Sequence, residues 1–202
     1  MLVDNKYLKY ISFGISFLFI VYVVYIIVSS FFIVKNQFID IGDSTYVNQV
    51  RTDEYTLRLA NYLTKDCKGN SYCEVQSMLD FVTEIPYKIN ESIARSSKQV
   101  VEQNFGDCDD KSNLLISMLK VKAYDDVYFV LVPKHIFVII NMNKQIPNKK
   151  ALWVNHKPYY ILESTAKGSL IGFKLKYRLD EIEAIIDPFK NKKLIIENLE
   201  YR

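Results

Sequence analysis

Between Ile11 and Val34 the chain carries no charged residue and, apart from four serines, almost no polar one. A helix of that length rises about 36 Å at 1.5 Å per residue, which crosses a hydrocarbon layer of ~30 Å with some tilt. A cleavable signal has a shorter apolar stretch, about 7–15 residues, ahead of a small-x-small site. Val28-Ser29-Ser30 imitates such a site poorly, and more apolar residues, Phe31 to Val34, follow it. The run therefore reads as an uncleaved anchor over 11–34 behind a tail of residues 1–10; a late-cleaved signal or a buried core helix are the alternatives. Lys6 and Lys9 precede the span, whereas Lys35 alone follows it closely, beside Asp40 and Asp43. The positive-inside rule then puts the N-terminus in the cytoplasm and the main domain on the periplasmic or extracellular side.

What remains suits one domain. A linker is expected over 35–50, then roughly 160 residues at most for a folded unit, set at 51–202, the usual size of a single core. The chain has 15 Tyr, 12 Phe and a Trp, too many aromatics for disorder. Its 26 basic and 23 acidic residues leave a net charge of +3, without the concentrated basic face that nucleic-acid binding needs.

The first half of this domain reads as helices. Thr52 or Asp53 can cap a helix to about Asp66, with Tyr55, Leu59, Tyr62 and Leu63 on one face. Ser71 and Glu74 have capping-box spacing, and Val75, Met78, Leu79, Val82 and Ile85 recur at helical intervals until Pro86. A short helix is expected over Ser96–Gln103. Another starts at Gly106-Asp107-Cys108, with Leu114, Leu115, Met118 and Leu119 as its buried stripe. After Ala123, short runs rich in β-branched and aromatic residues predict strands: Val127–Val132, Ile136–Met142, Ala151–Val154, Tyr159–Leu162, Lys174–Leu179, Ala184–Ile186 and Leu194–Ile196. Helices first and hairpin-linked strands afterwards mean an α+β fold, helices packed on an antiparallel sheet.

Three cysteines are present. Cys67 and Cys73 flank a short polar loop and, in an oxidising compartment, can bridge to close a seven-residue loop worth about 2 kcal/mol. A reduced surface pair is the ordinary alternative. Five intervening residues do not fit the usual zinc spacing, and no metal or other cofactor is expected.

A bridge would leave Cys108 free, at a helix start where unpaired amides and the dipole favour a thiolate. Asp107, Asp109 and Asp110 oppose that, so a low pKa there needs a further cation. His135 opens a strand after Pro133-Lys134, and Glu163 closes the strand Tyr159–Leu162. Each has an ordinary structural reading: a buried free thiol, a surface imidazole, a solvated strand end. In this order the three can also form a chain in which acid orients imidazole and imidazole takes the thiol proton. His156, in Asn155-His156-Lys157-Pro158, reads as a turn residue, and Asn90-Glu91-Ser92 fits a glycosylation sequon.

Asn104-Phe105-Gly106-Asp107-Cys108-Asp109-Asp110-Lys111-Ser112, followed by Leu114-Leu115, resembles the nucleophile segment of bacterial transglutaminase-like cysteine peptidases. Pro133-Lys134-His135-Ile136-Phe137-Val138 is similar to their histidine strand, and Tyr159 to Gly168, ending in Ile171-Gly172, to their acid segment. The resemblance covers roughly Asp53 to Gly172, including Phe81 to Tyr87. Glu163 stands where the family more often has aspartate. The resemblance implies a papain-like fold core, Cys108 as nucleophile, His135 as base and Glu163 as orienting acid. The Cys108 backbone amide would form part of an oxyanion hole, with Gln103 or Asn104 as candidates for the second donor. It further implies acyl transfer from a peptide or side-chain amide through a thioester: hydrolysis, deamidation or transfer to an amine, on a protein or peptide substrate. The alternative is a module of the same fold that binds or scaffolds at the envelope without turnover.

Overall fold

The computed structural model describes residues 6–40, 45–89, 95–142 and 144–202. Part of the 1–10 tail, part of the 35–50 stretch and the Asn90 sequon lie outside them. Helix α1, Lys6–Gln37, contains a segment, Lys9–Phe31, long and apolar enough to cross a membrane, with a mean hydropathy of 2.6. The chain divides into two compact units, residues 1–38 and 39–202.

The second unit begins within β1 (Phe38–Asp40) and continues through β2 (Thr45–Val47). Tyr46 and Asn48 fall in the stretch read as a linker, yet both are buried. The Tyr46 ring meets Phe129 at 5.0 Å between centroids and its hydroxyl donates to Asn113 Oδ1 at 3.0 Å.

Four helices follow: α2 (Glu54–Thr64), α3 (Ser71–Glu84), α4 (Ser97–Gln103) and α5 (Cys108–Val121). Their starts follow local capping chemistry. Asp53 accepts from the Thr56 amide, Ser96 and Gln99 form a reciprocal capping box, and Asp107 accepts from the Asp110 amide. At α3 the cap is Asn70, which accepts from the Cys73 amide, and Ser71 is the first helical residue. Pro86 ends α3 by forcing Ile85 out of the helical region, to φ −61° and ψ 125°. The inward face of α2 consists of Thr56, Ala60 and Thr64, with Leu59 and Leu63 beside them, while Tyr62 is exposed. The face is rotated from the expected one because small residues let α2 approach its neighbours. Cys67, in the loop after α2, is joined in a disulfide to Cys73 in the first turn of α3.

Every residue of α5 from Asp110 to Leu119 is buried, polar ones included. An apolar stripe alone would suit a surface helix; this one is central, packed on α2, α3, α4 and the sheet.

The sheet contains β3 (Val127–Val132), β4 (His135–Ile140), β5 (Leu152–Val154), β6 (Lys157–Leu162), β7 (Ala184–Asp187), β8 (Lys192–Lys193) and β9 (Leu199–Tyr201). Its order is β8-β7-β3-β4-β6-β5-β9, and every neighbouring pair is antiparallel. The α+β class expected from the sequence is thus the class observed. Alternate strand residues divide between two cores: Leu131, Ile136, Val138 and Leu162 face the helices, and Val130, Phe137, Ile139 and Ile161 face the other way. That second face is covered by the C-terminal third of the chain.

The cover explains the two strands that do not form. The sequence predicts strands at Lys174–Leu179 and Leu194–Ile196, but the first is irregular up to a 3₁₀ turn at Leu179–Glu181, and the second lies between β8 and β9. Phe173, Leu175, Tyr177 and Leu179 alternate as a strand would, yet they pack across the second core instead of joining a ladder. Period-two burial is equally well met by an extended segment laid over a sheet face.

Candidate functional site

The nucleophile candidate is positioned by backbone constraints before α5. Gly106 donates its amide to the Pro86 carbonyl at 3.1 Å and accepts from the Lys88 amide at 3.1 Å, a parallel bridge to Tyr87. A Cβ here would stand 3.1 Å from Asp110 Cβ, 3.2 Å from Lys111 Cγ and 3.3 Å from Val100 Cγ1, a close approach that any side chain would tighten. Lys111, 1% exposed, donates from Nζ to the Ile85 carbonyl at 2.8 Å and so fixes the end of α3 beside this bridge.

The three aspartates around Cys108 make different contacts. Asp107 caps α5. Asp110, fully buried, accepts from Arg95 through its amide at 2.7 Å, Nε at 3.1 Å and NH2 at 2.6 Å. Arg95 also donates to the Gln103 side-chain carbonyl and the Phe105 carbonyl, and its guanidinium lies 4.0 Å over the Phe105 ring. The loop before Cys108 is thus built around one buried guanidinium. Asp109 accepts from the Cys108 thiol, Sγ to Oδ1, at 3.5 Å.

These surroundings act in the direction of the aspartates and against that of the helix start. Burial first, then the Asp109 and Asp107 carboxylates, push the Cys108 thiol up to about 12, against which the Ile136 amide donating to the sulfur acts in the lowering direction. Burial and Asp107 also raise Asp109, to about 6. The helix-terminal dipole does not prevail over two adjacent carboxylates in a half-buried setting. At neutral pH Cys108 is a thiol.

His135 and Glu163 meet directly: Nε2 and Oε2 are 3.0 Å apart. His135 reaches this position through a two-residue hairpin in which Lys134 takes φ +59° and Val132 pairs with His135. The glutamate is fixed at its other oxygen, where Oε1 accepts from the Thr165 hydroxyl at 2.6 Å and the Thr165 amide at 3.1 Å. Burial alone would raise the Glu163 carboxyl, but the His135 and Thr165 hydrogen bonds outweigh it and hold it below its usual value. The imidazole is stacked on Tyr177, centroids 6.1 Å apart at 21°. With Nε2 engaged by the carboxylate, Nδ1 is the nitrogen left to face another group.

The structure therefore joins His135 to Glu163 by a side-chain hydrogen bond and brings Cys108 to the amide of Ile136, the residue after His135. Gln103 is exposed with its carbonyl oxygen held by Arg95, and Asn104 is the exposed left-handed cap of α4 at φ +52°. His156 lies in the two-residue β5–β6 turn at φ +66° and is exposed, as a turn residue would be. Sequence reasoning missed Arg95, Thr165 and Tyr177. Thr165 follows Glu163 by two residues, a spacing at which a side chain commonly bonds a nearby backbone amide; Arg95 and Tyr177 carry no local signal.

Beside the pair is a cavity of about 180 Å³ bounded by His135, Phe137, Glu163, Phe173 and Tyr177, on the sheet face away from the helices. Cys108 does not line it.

No protein-family model and no curated protein matches the chain. Among solved structures, the crystal structure of a candidate cysteine protease from Cytophaga hutchinsonii is similar at 15% identity and a TM-score of 0.48. The match takes in 80% of this chain and 51% of that one, so the chain spans about half the length of the solved structure.

Proposed function

We propose that the domain is a transglutaminase-like thiol hydrolase or acyltransferase that acts on peptide or side-chain amides. The observation that carries this reading is the His135–Glu163 hydrogen bond at 3.0 Å, with Glu163 tied by Thr165, one residue from the amide that contacts the Cys108 sulfur. In this reading His135 Nδ1 takes the Sγ proton as sulfur bonds to the amide carbon. The imidazolium then protonates the departing amine as the C–N bond breaks, leaving a thioester. Water or an amine, deprotonated by the same nitrogen, displaces the thiol and regenerates it. Glu163 holds the tautomer and stabilises the imidazolium. Because the resting thiol is protonated, base catalysis by His135 is essential rather than a refinement. The Cys108 amide, at the first turn of α5, has no intrahelical carbonyl and is suited to bind the oxyanion; Gln103 or Asn104 would supply a second donor.

We further propose that residues 11–34 anchor the chain behind a cytoplasmic tail, 1–10, with 51–202 as the catalytic domain on the periplasmic or extracellular side, its disulfide suited to that compartment. Protease added to intact spheroplasts should remove the domain; protection until lysis reverses the topology.

The test of chemistry is acylation by p-nitrophenyl acetate. The native chain should form a hydroxylamine-sensitive adduct on Cys108 and turn over. Cys108→Ala should form none, and His135→Ala should react about a hundredfold more slowly. Equal rates for His135→Ala and the native chain would sink the triad. The raised Cys108 thiol favours the second reading, a binding module of the same fold without turnover, which would then stand.

A further inference from the structure

A second and larger cavity, about 670 Å³, lies between the loop Asn148–Lys150 and the segment Gly168–Lys174. It shares Phe173 and Lys174 as a wall with the cavity at His135, so the two form neighbouring stations of one groove. Its lining places Lys149, Lys150 and Lys174 around an apolar floor that includes Leu170 and Tyr201. Leu170 is 50% exposed there.

The charge is concentrated in this part of the chain. From Lys144 to Arg178 there are eight lysines and arginines against one acid, a net of +7 in a chain whose total is +3. That one acid is Glu163, already engaged by His135 and Thr165. Among the described residues, Lys149, Lys150 and Lys174 have no carboxylate partner; ion pairs go to neighbours such as Lys157 with Asp126 and Lys167 with Glu84. Instead Lys149 lays its methylenes against Gly172, and Lys150 sits 5.7 Å from the Tyr201 ring centroid. Lys149 is thus positioned by its stem and the Lys150 ammonium stands over an aromatic face, and among the described residues no carboxylate pairs with either or with Lys174.

We propose that this groove is a substrate subsite for an acidic polypeptide segment, one presenting aspartate or glutamate side chains to Lys149, Lys150 and Lys174. The segment leads over Phe173 to the imidazole of His135. This deepens the proposed function and rests on it for the word substrate. A concave floor with apolar residues suits a chain of side chains better than a lipid headgroup layer, which a flat basic face would meet. Unpaired cations beside a low-dielectric wall attract acidic segments and speed their encounter.

The test is fluorescence anisotropy of a labelled Glu-rich decapeptide and its Gln-for-Glu counterpart, using the full-length Cys108→Ala chain in a neutral detergent. The acidic peptide should bind about tenfold more tightly at low salt, and the preference should vanish at 0.5 M salt. Replacing Lys149, Lys150 and Lys174 together by Gln should remove the preference. Equal binding of the two peptides by the native groove overturns the proposal, and this salt-dependent comparison needs no folded variant. If vesicles containing phosphatidylglycerol depend on the same lysines while the peptides are not distinguished, the surface is lipid-facing and the proposal also falls. A retained acidic preference together with a failed p-nitrophenyl acetate test would keep the subsite and discard the acyl transfer.

Discussion

His135 Nε2 and Glu163 Oε2 lie 3.0 Å apart although 28 residues separate them in the chain. The contact needs β4 and β6 to be antiparallel neighbours, with Val138 opposite Leu162, so that the start of one strand meets the residue beyond the end of the other. It fixes which imidazole nitrogen is free, and from that the following outcomes are expected.

Glu163→Gln leaves one acceptor oxygen, enough for His135 while an amide NH2 replaces the oxygen that Thr165 bonds, and it loses the charge that steadies an imidazolium. In the proposed reaction its rate should fall about ten- to a thousandfold, with Cys108→Ala abolishing covalent chemistry altogether. Steady-state turnover of the acetyl ester measures this; an unchanged Glu163→Gln rate would remove the glutamate from the mechanism.

Alkylation of Cys108 by iodoacetamide should rise about tenfold per pH unit from 7 to 10 without levelling off, because the thiol is pushed up to about 12. Asp109→Asn removes a neighbouring negative charge while leaving an amide oxygen beside the thiol, and should accelerate alkylation at pH 7.5 about tenfold. A plateau near pH 6 in the native chain would instead reveal a preformed thiolate–imidazolium pair.

Asp109 also carries a sign for stability. Its folded-state pKa of about 6 stands above the ordinary aspartate value of 3.8, so between the two the folded chain holds the proton that the unfolded chain has lost. Folding stability contributed by this carboxyl is full below the lower value and is lost as pH rises through about 6. Relative to Asp109→Asn, the native chain should lose on the order of 2 kcal/mol between pH 4 and pH 7 in urea titrations. Parallel curves for the two would contradict this.

Arg95→Ala would strip the partner from fully buried Asp110 and the contacts holding Phe105 and Gln103. A cost of about 3–5 kcal/mol is expected for a buried charge left alone, with Cys108 becoming more accessible to alkylating agents. Denaturation midpoints decide it: a loss under 1 kcal/mol would mean that water or another cation takes over.

Reducing the Cys67–Cys73 bridge should lower stability by about 2 kcal/mol, the loop-closure contribution of a short ring. Peptide mapping without reductant should recover the two cysteines linked. Two free thiols in fresh membranes would withdraw the argument for an oxidising compartment.

The sequence by itself determined those features that depend on near neighbours. The apolar run within α1, the caps Asp53, Ser96 and Asp107, and the hairpin strands β3 and β4 follow from side chains a few residues apart, whose hydrogen bonds and periodicity need no knowledge of the rest. Tertiary structure alone decided what distant segments do for one another. Lys174–Leu179 has a strand's alternation but covers a sheet face, because burial can be satisfied without a ladder partner. Asp109 and Asp110 look alike in sequence, and only packing assigned Asp109 to the thiol and Asp110 to Arg95. A thiol's acidity likewise depends on charge and burial summed over space, so a helix-tip position could indicate the direction of one contribution but not the balance of all of them.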